Sequence, residues 1–244
     1  MPKPNLLIVG CQKSGTTWLH SCLKKSDHIF GSEVKELNFF NSIDFEDGAA
    51  DYLTNFPQKD GARYYMESTP HYLQLPAGRI DAARNIADYL DNPKIIVIFR
   101  NPTARYESAY VHHIMKGRVD YTPKIEDLTD DSKMLTLGRY AEVLEYWQTI
   151  FPNMLVLFHD DMEKDPVAFV QRAMDYLELE NDIAPEDLLF RSNDKNIKAR
   201  KLDLGWPEIP TMSDALRAQL LNYYRDDIVK LEKMTGRDLQ QWSQ

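Results

Sequence analysis

Only two cysteines, Cys11 and Cys22, occur in 244 residues, so a disulfide framework is excluded and a reducing compartment is indicated. Long apolar runs are equally absent, none approaching the ~20 residues that span a bilayer. Positive charge is in deficit: 29 lysines and arginines face 38 aspartates and glutamates, a formal net charge of −9. That balance argues against nonspecific binding to nucleic acid or an anionic membrane, while leaving room for a local basic cleft. There is no Asn-x-Ser/Thr acceptor without an intervening proline, and the apolar run beginning at Leu6 leads us to expect no signal peptide. A cytoplasmic location is the resulting expectation. Internal repeats, low-complexity tracts and dividing linkers are missing as well. With 43% hydrophobic and 11% aromatic residues, the composition is that of a folded globule, and residues 1–244 suit a single α/β domain.

Leu6 to Val9 reads as a short buried strand, Gly10 to Gly15 as a turn and Thr16 onward as a helix. This geometry points backbone N–H groups and a helix N-terminus at an anion. Gly15 permits close approach of the backbone, while Lys13, Ser14, Thr16 and Thr17 add one charge and three hydroxyls. Nucleotide-triphosphate loops follow GxxxxGK[ST]. Gly10 and Gly15 keep that spacing and Thr17 keeps the hydroxyl, but Thr16 replaces the lysine and the charge sits earlier, at Lys13. An ordinary strand-to-helix turn is the alternative, so a second match is needed.

The second match spans residues 94–110. Ile95 to Phe99 forms a continuous apolar run typical of a strand covered on both faces. Arg100 ends it, and Asn101-Pro102 opens a helix with a capping residue and a first-turn proline. Arg105, Ser108 and His112 share a helical face by three- and four-residue steps. Arg100 and Ser108 are expected to converge on one ligand beside the first loop, where open α/β sheets bind. Arginine at that strand end suits a phosphate, whereas a kinase or nucleotidase would place an aspartate for magnesium there.

Helical patterns at 44–56, 78–90, 137–150, from Pro166 and at 212–234 alternate with strands at 63–67 and 154–158. A parallel sheet flanked by helices follows. The last helix should turn Leu216, Leu220, Tyr223, Tyr224, Ile228 and Leu231 inward. The polar stretch between Lys116 and Ser132 suits a mobile loop over an acceptor site. His112 and His113 read as solvated or acceptor-facing, and Asp160, Asp161 and Glu163 as loop carboxylates before a helix, not metal ligands.

These segments together resemble the sulfotransferases that use 3′-phosphoadenosine 5′-phosphosulfate (PAPS), with motifs nearest the heparan-sulfate type. The resemblance implies a P-loop-like sulfotransferase fold. It makes Lys13, Ser14, Gly15, Thr16, Thr17 and Trp18 the 5′-phosphosulfate loop, and Arg100 and Ser108 of RxPxxRxxSxY the 3′-phosphate ligands. Lys35-Glu36-Leu37-Asn38-Phe39-Phe40 looks like the family's KExxFF, which makes Glu36 the leading general base. Burial near Phe39 and Phe40 is expected to raise its pKa from the usual ~4.3. PHYLQLP is loosely similar to the THLP of cytosolic sulfotransferases, so His71 is the second-choice base, although a lone histidine is more often a structural hydrogen-bonder. The family often carries a lysine where Ser68 stands. A basic segment near residues 190–206 adds Lys198 and Arg200 as phosphate contacts.

The implied reaction moves a sulfuryl group from PAPS to a hydroxyl or amine of a glycan, lipid or small-molecule acceptor, releasing adenosine 3′,5′-bisphosphate (PAP) without a metal. A P-loop kinase and a noncatalytic nucleotide-binding module are the rival readings.

Overall fold

The computed structural model describes residues 1–190, Ala199, Leu202 and 204–244; the expected contacts Lys198 and Arg200 lie outside the described residues. In chain order the regular elements are β1 (Leu6–Gly10), α1 (Thr16–Leu23), β2 (Ile29–Gly31), α2 (Ala49–Leu53), β3 (Tyr64–Ser68), α3 (Ala82–Tyr89), β4 (Lys94–Phe99), α4 (Pro102–Met115), β5 (Lys124–Ile125), α5 (Tyr140–Ile150), β6 (Leu155–Phe158), α6 (His159–Lys164), α7 (Pro166–Tyr176), β7 (Thr211–Met212) and α8 (Asp214–Thr235). Two compact units are distinguished, Met1–Phe99 with Val143–Phe190, and Arg100–Glu142 with Arg191–Gln244.

The first unit is built on a five-stranded sheet of order β2-β3-β1-β4-β6, with every pairing parallel. Leu6, Leu7, Ile8 and Val9 are all fully buried, as a central strand covered on both faces requires. Successive side chains alternate between the faces. Leu6, Ile8, Ile96, Ile98 and Leu157 join Trp18, Leu19 and Leu23 of α1 and Phe169, Val170, Ala173 and Met174 of α7 in one cluster. Leu7, Val9, Ile95, Val97 and Phe99 belong to the opposite face and are equally buried. From β1 the chain runs to β2 and β3 on one side and then to β4 on the other. The carboxyl end of β1 is therefore the switch point of the sheet, where α/β folds bind ligands.

In the second unit α4 starts as its sequence dictates. Asn101 accepts from the N–H groups of Thr103 and Ala104, with Pro102 in the first turn. Fully buried Arg105 donates to the carbonyl of Met134, and the Tyr224 hydroxyl donates to the carbonyl of Leu135 at 2.7 Å. Asp227 of α8 accepts from the Tyr140 and Ala141 amides at 2.7 and 3.2 Å, capping α5.

Several expectations need correction. The sequence pattern gave no hint of β2, whose three residues are too short to show a period. The expected helix over 44–56 is a 3-10 turn, Phe45–Gly48, followed by the five residues of α2. The stretch after α4 is not a free loop. It contributes β5, paired with β7, and Tyr106 is hydrogen-bonded to both the amide and the carbonyl of Thr129. Tyr223 is exposed, because the inward stripe runs through Leu216, Leu220, Tyr224 and Ile228 and residue 223 lies about 100° around the helix from Tyr224. His113 is buried, not solvated, since α4 is covered along most of its circumference. Asp160, Asp161 and Glu163 are on the short helix α6 and not in a loop.

A Cβ on Gly10 would lie 2.6 Å from Leu73 Cβ. Gly10→Ala is expected to cost about 1–3 kcal/mol of stability through overpacking, read as a lower urea midpoint; an unchanged midpoint would mean that the Leu73 segment yields freely.

Candidate functional site

The turn between β1 and α1 is forced into an unusual backbone. Lys13 has φ 67° and Gly15 φ 98°, both in the left-handed region. A Cβ at Gly15 would meet the end of the Met162 side chain at 3.0 Å, which would have to give way; glycine is needed there for its conformation. Gly15 is also the N-cap of α1 and supplies no side-chain cap. By contrast, Asp81, Asn101, Asp165 and Ser213 cap α3, α4, α7 and α8. The first-turn N–H groups of α1 are thus left for another acceptor. The Ser14 hydroxyl is fully buried with no hydrogen-bond partner, a group whose desolvation is compensated only when something binds.

Trp18 departs from its expected role. Its ring stacks on Phe190 and meets Phe169 edge-on, and its indole N–H donates to the Phe190 carbonyl. Its side chain is core, because the face of α1 that carries residue 18 is the one packed on α7. Only its backbone remains at the turn.

The Glu36 segment hangs from the end of β3. The Glu36 amide donates to the Ser68 carbonyl at 3.0 Å, the Asn38 amide to Thr69 Oγ1 at 3.4 Å and the Phe40 amide to the Tyr72 hydroxyl at 3.4 Å. Thr69 and Tyr72 in turn both donate to Glu67 Oε1, at 2.8 and 2.6 Å, and Tyr52 donates to Oε2 at 2.5 Å. Burial pushes the Glu67 carboxyl up, while the three hydroxyls pull against that shift. Since all three hydroxyls point their protons at it, Glu67 acts here as an acceptor-only carboxylate. Sequence inspection missed this cage; its signal was a Glu-x-Thr-x-x-Tyr spacing at a strand end.

Glu36 itself is exposed and has φ 61°. The expected burial is therefore not met: Phe39 and Phe40 are buried beside Tyr52, but the backbone turns at Glu36 and leaves it exposed. His71 is partly buried, with Nε2 3.0 Å from Nε2 of Gln12, which places it against the first loop. Lys35 donates from Nζ to Thr17 Oγ1 at 3.1 Å.

His20 of α1 is 3% exposed. Its Nε2 lies 3.3 Å from the Ser32 carbonyl and its Nδ1 2.8 Å from Ser68 Oγ. A carbonyl only accepts, so Nε2 carries the proton and Nδ1 accepts from the Ser68 hydroxyl. Burial first, then the Lys35 and Lys24 ammonium groups, lower the His20 pKa to about 4.

In the second unit Ser108 is buried and Arg100 half-buried; the Arg100 carbonyl accepts from the Tyr140 hydroxyl at 2.9 Å. His159, Asp160 and Glu163 offer ligand atoms within 4.8 Å of one another, a proximity that the loop reading had not foreseen. Cys22 is buried and its thiol is pushed up to about 12, which makes it inert.

A parallel sheet whose switch point carries a helix without a side-chain cap, a left-handed lysine and a buried hydroxyl without a partner defines an α/β protein with an anion-suited turn at the end of β1. The model of the sulfotransferase domain matches residues 3–203, and the chain belongs to that family. Among curated relatives, the mouse (Mus musculus) heparan sulfate glucosamine 3-O-sulfotransferase 3B1 is 27% identical across 96% of this chain and 64% of its own length. The chain spans between 30% and 72% of the length of such heparan sulfate relatives. A crystal structure of a sulfotransferase from Alicyclobacillus acidocaldarius superposes with a TM-score of 0.79, at 22% identity and with full coverage of both chains. Mouse SULT7A1 complexed with PAP gives 0.51 at 16% identity, over 94% of this chain and 84% of that one.

Because the folded-state pKa of His20 is depressed from 6.5, its contribution to stability is complete above about pH 6.5 and lost as pH falls towards 4. The full loss is about 3 kcal/mol. Urea unfolding across that window should show a steeper fall in stability for the unaltered protein than for His20→Gln; parallel curves would contradict the buried neutral imidazole.

Proposed function

We propose that this chain is a PAPS-dependent sulfotransferase acting on a hydroxyl or amine of a glycan or small-molecule acceptor. The observation that carries the proposal is the β1–α1 turn, with its uncapped first-turn amides, Lys13 and the unpartnered Ser14 hydroxyl. These suit the 5′-phosphosulfate through amides and hydroxyls, with Lys13 countering its charge. The likeness of RxPxxRxxSxY to the family's 3′-phosphate signature makes Arg100 and Ser108 the candidates for the 3′-phosphate. Trp18 contributes through its backbone.

In the proposed reaction the acceptor oxygen or nitrogen attacks sulfur in line. Its new bond to sulfur forms as the bond from sulfur to the bridging oxygen breaks, the acceptor proton passes to the base, and PAP leaves. Glu36 is the first candidate for that base. It is exposed, so desolvation must come from the acceptor covering it; His71, beside the loop through Gln12, is the second. The heparan sulfate relatives favour a sugar acceptor. A content of only two cysteines, both buried, is compatible with a cytoplasmic setting.

Titration calorimetry should show PAP binding without magnesium and at least tenfold tighter than ATP with magnesium; the reverse order would establish the kinase reading. Arg100→Ala should weaken PAP but leave adenosine 5′-phosphate, which lacks the 3′-phosphate, unaffected, whereas Lys13→Ala should weaken both. Glu36→Gln should lower kcat by 10²-fold or more with PAP affinity unchanged. Normal turnover by that variant would shift the base to His71, and PAP binding without transfer to any acceptor would leave only a binding module. EDTA should leave the rate unchanged, and a loss would bring the His159, Asp160 and Glu163 cluster into the chemistry.

A further inference from the structure

Lys35 is in an electrostatically unfavourable place. Its ammonium donates to Thr17 Oγ1 at 3.1 Å, in the first turn of α1, where the helix end is already positive. The side chain is half-buried, and burial holds its pKa below the usual lysine range, with the neighbouring Glu36 carboxylate acting in the opposite direction. Among the described residues no carboxylate lies within 4.0 Å of Lys35 Nζ, whereas Lys24, Lys25 and Lys94 all have one. Buried cations are ordinarily paired, and this one faces a second like-signed field with only a hydroxyl for company.

The backbone holds it there. The next residue, Glu36, donates its amide to the Ser68 carbonyl, and Asn38 and Phe40 are tied to Thr69 and Tyr72. Lys35 is thus fixed at the root of a braced segment and its side chain is directed back to α1. A second observation independently points to a missing anion at the same turn, the fully buried Ser14 hydroxyl without a partner.

We infer that Lys35 is a second cation for the donor's 5′-phosphosulfate, reaching the turn from the segment that carries Glu36. This rests on the sulfotransferase reading. Lys13 approaches from the turn itself and Lys35 from the end of β3, so an anion at the first turn of α1 is met from two directions. Its arrival relieves the repulsion between Lys35 and the helix end, and works against the lowering of the lysine's pKa by burial. Thr17 then acts as a positioning residue for the ammonium.

The test is calorimetric titration of PAP, and separately of adenosine 3′-phosphate, into the full chain and its Lys35→Met and Lys35→Arg variants. Lys35→Met should bind PAP at least tenfold more weakly and Lys35→Arg should recover most of the loss. Adenosine 3′-phosphate, which has no 5′-phosphate, should bind all three within twofold. In the unaltered protein, PAP should also protect Lys35 from trace acetylation read by mass spectrometry, a measurement that does not depend on any variant folding. Undiminished PAP binding by Lys35→Met, an equal loss for both ligands, or acetylation of Lys35 unaffected by saturating PAP would each overturn the inference while leaving the sulfotransferase reading intact. Failure of the unaltered protein to bind PAP would sink both.

Discussion

The site depends on one backbone constraint, the reversal between β1 and α1. A strand buried on both faces has to leave the sheet and restart as a helix within five residues, without a side-chain cap and with a positive φ at Gly15. Left-handed φ values at Lys13 and Gly15 are the cost of that turn. What results is a set of unsatisfied donors held rigidly by a core that tolerates no slack. Preorganised donors of this kind stabilise charge without having to reorganise when it appears.

A second polar network gives the turn its neighbour. Glu67 is entirely buried, and its three hydroxyl donors tie the end of β3 to α2, to the Tyr72 turn and, through Thr69 and Tyr72, to the backbone of the Glu36 segment. A half-satisfied carboxylate in that position would be strongly destabilising. The fully satisfied one fixes where residues 36 to 40 run. The stacked and edge-on rings of Phe39, Phe40, Phe45, Tyr52 and Tyr89 close over the same place from the other side. Loop and Glu36 segment are therefore braced by different forces, main-chain geometry for one and a buried, hydrogen-bonded carboxyl group with aromatic packing for the other.

Much of this was legible in the sequence because it is written in local signals. The apolar runs at Leu6–Val9 and Ile95–Phe99, the glycine spacing and the Asn101-Pro102 opening are all short-range, and each marks the element that forms. What escaped was set by contacts distant along the chain. β2 exists because β3 pairs with it, β5 because β7 does. Trp18 looked like a loop residue but belongs to the α7 face, and Glu36 looked like a neighbour of Phe39 but turns outward at a positive φ. Lys35 stood in the sequence only as the first residue of the KExxFF-like stretch; the fold brings it to Thr17, eighteen residues earlier.

The most direct measurement is a crystal structure of the protein with PAP bound. The account predicts the 5′-phosphate within hydrogen-bonding distance of the main-chain N–H groups of residues 14–17, with the Ser14 hydroxyl donating to it. A nucleotide bound elsewhere, or a phosphate that leaves those amides and Ser14 untouched, would contradict the claim that this turn is built for the sulfuryl donor.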